Sequence, residues 1–225
     1  MDDCLVAYAI KYDALRLDVD RVVRQRNAVL KQSGGRVNNA VSSMLDLWDE
    51  KLVVVGTQLG DARKNLVAQL TPLITHAYEE LAQRSSNIVV EHSPRWLDAG
   101  LGISLQQSRG EDLRRLVTTV GPHRDDIELE INGLAAKTHA SQGEQRTLAL
   151  ALRLALHRFI SKAVGEIPIL VLDDVLSELD PDRARALLNH FPVGQVLITT
   201  ASELPLGSHI NRSVRIQSGT ILESL

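Results

Sequence analysis

Val41, Leu45, Trp48, Leu52, Val55, Leu59, Ala62 and Leu66 recur at alternating spacings of four and three residues for more than three heptads. That rhythm marks a helix whose apolar stripe lies against a second helix. A partner stripe precedes it: Tyr12, Leu15, Val19, Val22 and Val29 keep the helical period, interrupted by Arg26. Between the two runs, Gln32-Ser33-Gly34-Gly35-Arg36-Val37-Asn38-Asn39 has the glycines and amides of a chain reversal. The pattern predicts an arm over residues 6–83, two long antiparallel helices joined by a flexible tip.

Aromatic residues make up 3% of the 225 residues while 44% are hydrophobic, so the core must be aliphatic. Such a core suits helix bundles and buried parallel strands better than an aromatic-rich sandwich. The single cysteine, Cys4, excludes an internal disulfide and a cysteine-based metal site, and points to a reducing, cytoplasmic setting. Met1-Asp2-Asp3 is acidic where a secretory signal is basic, and no apolar run approaches the roughly 20 residues that span a bilayer. A soluble protein with no membrane partner is expected. A net charge of -3 argues against bulk coating of nucleic acid and leaves room for a local basic face.

Beyond the arm, residues 88–90 and 103–105 read as short strands separated by a proline- and glycine-containing loop, and residues 112–117 as helical. Ile127, Leu129 and Ile131 alternate with acids and end at Asn132-Gly133, which predicts a hairpin over 126–137. Ser141 opens a helix reaching residue 163, followed by a strand at 168–172, a helix at 181–189, and strands at 195–199 and 214–217. Ile169-Leu170-Val171-Leu172 is apolar without alternation, as expected of a strand buried on both faces of a mainly parallel sheet. The fold class is therefore α/β with a helical arm: residues 1–86 form the arm and 87–225 the sheet domain.

The chemistry gathers in the second part. The strand ending in Asp173-Asp174 puts two carboxylates at the carboxyl edge of a sheet, where α/β proteins bind ligands. The first suits Mg²⁺, directly or through water, and the second suits a water aimed at a γ-phosphate. Acids that merely end a buried strand are the plainer reading. Ser141 with Glu144 three residues on forms a capping box, which accounts for both residues without any ligand. It does not account for Gly143, which weakens the first turn and is useful where a phosphate approaches the backbone. Asp180 before Pro181 reads as an ordinary N-cap when taken alone. Taken together, the order is a serine-glycine helix start, about 28 residues, an apolar strand ending in acids, then Ser-x-x-Asp.

Ala140-Ser141-Gln142-Gly143-Glu144-Gln145-Arg146-Thr147-Leu148-Ala149-Leu150-Ala151-Leu152, the strand at 168–174 and Ser177-Glu178-Leu179-Asp180 resemble the signature motif, Walker B strand and D-loop of ABC-type ATPases. Val120-Gly121-Pro122-His123-Arg124-Asp125-Asp126 and Arg24-Gln25-Arg26-Asn27-Ala28-Val29-Leu30-Lys31 resemble fingerprints of the RecF family, and jointly they are highly specific. The resemblance covers nearly the whole chain but only the later part of the family pattern. Family members begin with a strand, a Walker A loop and a Q-loop. No GxxxxGK[ST] run occurs here, and the only Lys followed by Ser or Thr is Lys137-Thr138, which has no upstream glycine loop. The resemblance thus implies an ABC-ATPase-type head, incomplete at the N-terminus, with the helical arm as lobe II. A fragment, a truncated gene and a misplaced start codon are three open explanations.

By resemblance, Asp173 would serve Mg²⁺ and Asp174 would be the catalytic acid. Ser141, Gly143 and Gln145 would reach across a head-to-head homodimer to the γ-phosphate of ATP held by the partner, with Asp180 in the interface. Asp174 replaces the usual Glu of ABC ATPases, and the shorter acid implies slow turnover. No histidine stands where transporter relatives carry a switch His; Thr200 is a weak phosphate-contact candidate there. His123 and Arg124 are expected to brace the nucleotide-binding lobe, without catalytic duty. The family further implies ATP-dependent DNA binding at single-strand gaps and ss/ds junctions, recombinational repair and the SOS response, RecO- and RecR-type mediators, and RecA loading.

Arg21, Arg24, Arg26, Lys31 and Arg36 form a stretch without an acid. Arg21, Arg24 and Lys31 share one helix side and could bind DNA phosphates without reading sequence. Asp13, Asp18 and Asp20 upstream favour an ordinary solvated face, and aromatic stacking platforms are nearly absent. Two alternatives stand: another SMC- or Rad50-type DNA-maintenance ATPase, although such arms are far longer, and a non-hydrolysing interaction module. Without the family's first strands, the sheet is expected to expose an unpaired edge and apolar surface, which favours aggregation.

Overall fold

The computed structural model describes residues 1–201, 204, 205, 208 and 210–224. Helix α1 (Asp2–Tyr8) precedes α2 (Lys11–Ser33) and the 44-residue α3 (Asn39–Ala82). Gly34 and Gly35, with φ of 57° and 80°, take the left-handed turn that ends α2. Asn38 then caps α3, its side-chain oxygen accepting from the Val41 N–H at 2.8 Å. Leu45, Leu52, Leu59 and Leu66 of the heptad stripe are all buried, as are Val19, Val22 and Val29 of α2. The C-terminal half of α3 continues beyond the pairing with α2 and packs along α7 (Gln142–Val164), burying Ile74, Ala77, Tyr78 and Leu81. α3 is thus the spine shared by both parts of the chain.

A three-stranded antiparallel sheet follows, with β1 (Ile88–Glu91) beside β2 (Glu128–Ile131) and β2 beside β3 (Leu134–Ala135). Asn132 and Gly133 have φ of 53° and 80°, the two left-handed residues of a tight hairpin, so the turn forms where the Asn-Gly pair predicts it. α6 (Ala136–His139) leads from β3 to α7. Between β1 and β2 lie α4 (Arg95–Ala99) and α5 (Leu101–Arg115). The strand expected at 103–105 is therefore an error: those residues are helical. Leu101 and Leu105 are buried while Ile103 is 55% exposed, so the relevant spacing is four, not two. A Leu-x-Ile-x-Leu run satisfies either period, and packing on α3 decides.

In the last part, β4 (Leu170–Asp173) pairs in parallel with β5 (Val196–Thr199), Asp173 opposite Thr199. α8 (Pro181–Asn189) lies between them in sequence. β6 (Val214–Gln217) and β7 (Thr220–Ser224) close a separate antiparallel hairpin, β7 being an element that the sequence pattern did not reveal. Leu170 and Leu172 join Leu148, Leu154 and Leu187 in the main core. Their neighbour Val171 is 61% exposed and its cross-strand partner Leu197 48%. The expectation of burial on both faces fails among the described residues: only one face of this strand pair is covered. The apolar surface expected at the sheet is present on the other. No helix among the described residues is long and apolar enough to cross a membrane.

Candidate functional site

Ser141 begins α7 with both halves of a capping box. Its hydroxyl accepts from the Glu144 N–H at 3.3 Å, and the Glu144 carboxylate accepts from the Ser141 N–H at 2.9 Å. These hydrogen bonds from the Ser141 backbone and hydroxyl, with Arg84 Nη2 at 2.6 Å, hold the Glu144 carboxyl below its ordinary range. The N–H groups of Gln142 and Gly143 have no acceptor among the described residues and lie at the positive end of a 23-residue helix. The Gln145 amide is engaged internally, donating to the carbonyls of Ala136 at 3.2 Å and Ala140 at 3.1 Å.

Gly143 has a neighbour that sequence reasoning missed. A Cβ there would lie 2.7 Å from Nη1 of Arg183, which also donates to Asp180 Oδ2 at 2.7 Å. Asp180 caps α8 by accepting from the Arg183 N–H at 3.0 Å, and that backbone hydrogen bond lowers its pKa. Arg146 adds a second link, donating to the Glu178 carbonyl at 2.9 Å. The structure therefore brings Ser141, Gly143, Gln145 and Asp180 into one neighbourhood, stapled by two arginines.

Asp173 and Asp174 close β4 and are exposed. The Thr199 hydroxyl donates to Asp173 Oδ1, and the Asp174 N–H donates to Thr199 at 3.0 Å. Thr200, the phosphate-contact candidate, directly follows Thr199, which the sheet register places opposite Asp173. Asp174 has φ of 48°, a left-handed conformation that aspartate tolerates better than most residues and that turns the chain sharply after the strand. No cluster of three or more His, Cys, Asp or Glu able to hold a metal is found among the described residues. One carboxylate with a free oxygen is nevertheless a sufficient protein contribution for Mg²⁺, which binds through one or two carboxylates, waters and phosphate oxygens. Asp173 fits that requirement.

On the arm, Arg21 pairs loosely with Asp18 at 3.7 Å, Arg24 donates to the Asp20 carbonyl, and Lys31 is exposed. Arg26, counted among the basic residues of this stretch, is fully buried. Its Nε meets Asp49 Oδ1 at 2.5 Å and its Nη1 meets Asp112 Oδ2 at 2.6 Å and Thr118 Oγ1 at 3.0 Å. Asn27 accepts from the Thr118 N–H and hydroxyl, both at 2.7 Å. The Thr118 carbonyl in turn accepts from Arg124 Nε at 3.2 Å and faces His123 Nε2 at 3.1 Å. Burial lowers the His123 pKa, so the neutral ring donates. The short turn Pro122–Arg124 that carries this pair packs against α2 and α3.

No family model matches the chain. The DNA replication and repair protein RecF of Heliobacterium modesticaldum is 39% identical over 191 residues, 80% of this chain and 50% of that protein. A solved structure of the recombination mediator protein RecF-ATP in the RecFOR pathway covers 100% of this chain and 61% of its own, with 27% identity and a TM-score of 0.81. An Smc head domain from Pyrococcus furiosus, at 12% identity and a TM-score of 0.50 over 100% of this chain and 56% of its own, supports the fold alone. The fold is that of ABC/SMC-type ATPase heads, with an antiparallel helical arm. Within that class, the chain is homologous to RecF, the DNA replication and repair protein, and spans about half the length of the curated RecF relatives it matches.

Proposed function

We propose that the chain serves a RecF-like role: ATP-dependent binding of DNA at single-strand gaps and ss/ds junctions in recombinational gap repair and the SOS response. The observation that carries this is the start of α7, where the N–H groups of Gln142 and Gly143 stand free at a helix terminus docked by Arg183 and Arg146 beside the segment that follows Asp173-Asp174. Such a terminus attracts phosphate. In this reading Ser141, Gly143 and Gln145 meet the γ-phosphate of ATP held by a second copy in a head-to-head homodimer, with Asp180 at the interface. Gln145 does so only by releasing the Ala136 and Ala140 carbonyls. Asp173 would hold Mg²⁺, which supplies charge neutralisation on phosphate oxygens. Asp174 orients the attacking water, and its short side chain makes turnover slow. Residues 1–86 act as arm and 87–225 as head, and Arg21, Arg24 and Lys31 contact DNA phosphates. RecO- and RecR-type mediators are the protein partners, in the cytoplasm. The RecF-ATP neighbour supports the nucleotide.

A second reading rests on the absence of any GxxxxGK[ST] run among the 225 residues: a non-hydrolysing interaction module. The test is retention of gapped DNA by the protein purified from its own cells, its intact mass read first. ATP raises retention by the native protein but not by Ser141→Arg. Retention indifferent to ATP in both overturns the ATPase reading and leaves the module.

A further inference from the structure

The segment 118–125, distinctive in sequence yet without a part in nucleotide chemistry, forms one wall of a cleft whose other wall is α4 and α5. The cleft is open to solvent, with a volume of about 390 Å³. Its walls are fixed from behind: Ser108 and Thr119 donate to Asp112, the carboxylate that also holds buried Arg26. Arg95 and Arg124 are among its lining residues. Among the described residues Arg95, which is exposed, makes no ion pair, and Arg124 engages only its Nε, which leaves both terminal nitrogens free. The acid in the lining, Asp125, does not neutralise them. Its side chain is 3% exposed and already faces Trp96 Nε1 at 2.7 Å, His92 Nε2 at 3.3 Å and Arg63 Nη1 at 3.6 Å.

Ser104 and Gln107, almost one turn apart on α5, add a hydroxyl and an amide with no partner. Two unpaired arginine forks bind carboxylates or phosphates, and neutral hydrogen-bonding groups in the same lining suit a peptide backbone. The aromatic ring of the lining, Trp96, is 4% exposed, so no face is offered for base stacking.

We propose that this cleft docks an extended acidic segment of a partner protein, with Arg95 and Arg124 taking its carboxylates. The proposal does not depend on the nucleotide reading. The test is fluorescence anisotropy of the full chain with a fluorescein-labelled decapeptide of alternating Asp and Gly, beside labelled oligothymidylate and duplex DNA. The chain binds the peptide, and Arg95→Glu and Arg124→Glu each weaken that binding about tenfold while both DNA probes change less than about twofold. Gln107→Glu gives the same loss from an exposed position with no partner, which covers the case in which Arg124→Glu does not fold. Absence of peptide binding, equal binding by the variants, or loss of DNA in place of peptide overturns the proposal.

Discussion

Replacing Gly60 with alanine will destabilise the fold, although alanine is the better helix former by about 1 kcal/mol. Gly60 lies inside α3, and a Cβ there would come within 2.3 Å of Trp96 Cη2, 3.1 Å of its Cζ2 and 3.2 Å of Leu97 Cδ2. The indole cannot step aside freely, because it is 4% exposed and its Nε1 donates to Asp125 Oδ1 at 2.7 Å. Overpacking of this kind costs about 1–3 kcal/mol, and loss of the hydrogen bond to a buried carboxylate costs about as much again. Set against the propensity gain of about 1 kcal/mol, the net loss is about 1–5 kcal/mol, which lowers the melting temperature by several degrees. Gly110→Ala is the control: it also lies in a helix, but its Cβ meets nothing within 4 Å, so it will gain up to about 1 kcal/mol. Paired urea and thermal melts measure both. A Gly60→Ala protein at least as stable as the native one would refute the reasoning.

Arg26→Met will cost about 3–5 kcal/mol in urea unfolding, because it strands the fully buried Asp112 without its cation; an effect below about 1 kcal/mol would show that water reaches this site. Asp174→Gly will raise stability by about 1 kcal/mol by relieving a residue at φ 48°, while any ATP turnover disappears; equal or lower stability means that the strain is absent. Stability will fall on acidification in two stages. His123, buried and depressed, loses its contribution as pH drops below the ordinary histidine value of about 6.5 through its lower folded value. Glu144, depressed by its Ser141 hydrogen bonds, and Asp180, depressed by the Arg183 N–H, contribute above their ordinary carboxylate values and lose it as pH falls through their folded values. His123→Asn flattens the first stage of a pH series of melts and leaves the second; a profile unchanged by this substitution would contradict the assignment.

Where a signal closes within one or two turns of chain, the sequence was legible. The Ser141-Glu144 box, the Asn132-Gly133 turn and the Asp180-Pro181 helix start all form as their local chemistry dictates. The heptad stripe of α3 was equally plain, because each buried leucine repeats the same vote. Illegible were facts decided by a distant partner. Whether Ile103 faces out depended on the packing of Leu101 and Leu105, and whether Val171 was covered depended on what lies over the second face of the β4–β5 pair. Gly143 looked like room for phosphate alone, but the room is bordered by Arg183, forty residues further along the chain.

Arg26 shows why such facts resist a one-dimensional reading. In the helical period of α2 it occupies an apolar position, and a charge there looks like an interruption of the stripe. Its partners Asp49 and Asp112 lie 23 and 86 residues away, and only their convergence makes burial of a guanidinium tolerable. The same convergence joins the two stretches that carried the family resemblance without carrying catalysis. Arg26 and Asn27 grip the side chain and N–H of Thr118, while the Thr118 carbonyl engages His123 and Arg124. Removing Asp49, Asp112 or Arg26 alone leaves a buried charge unmatched, and the two stretches are tied to that cluster through Thr118. What reads in sequence as two separate fingerprints is one packing solution, and the cleft lined by Arg124 is built on its outer surface.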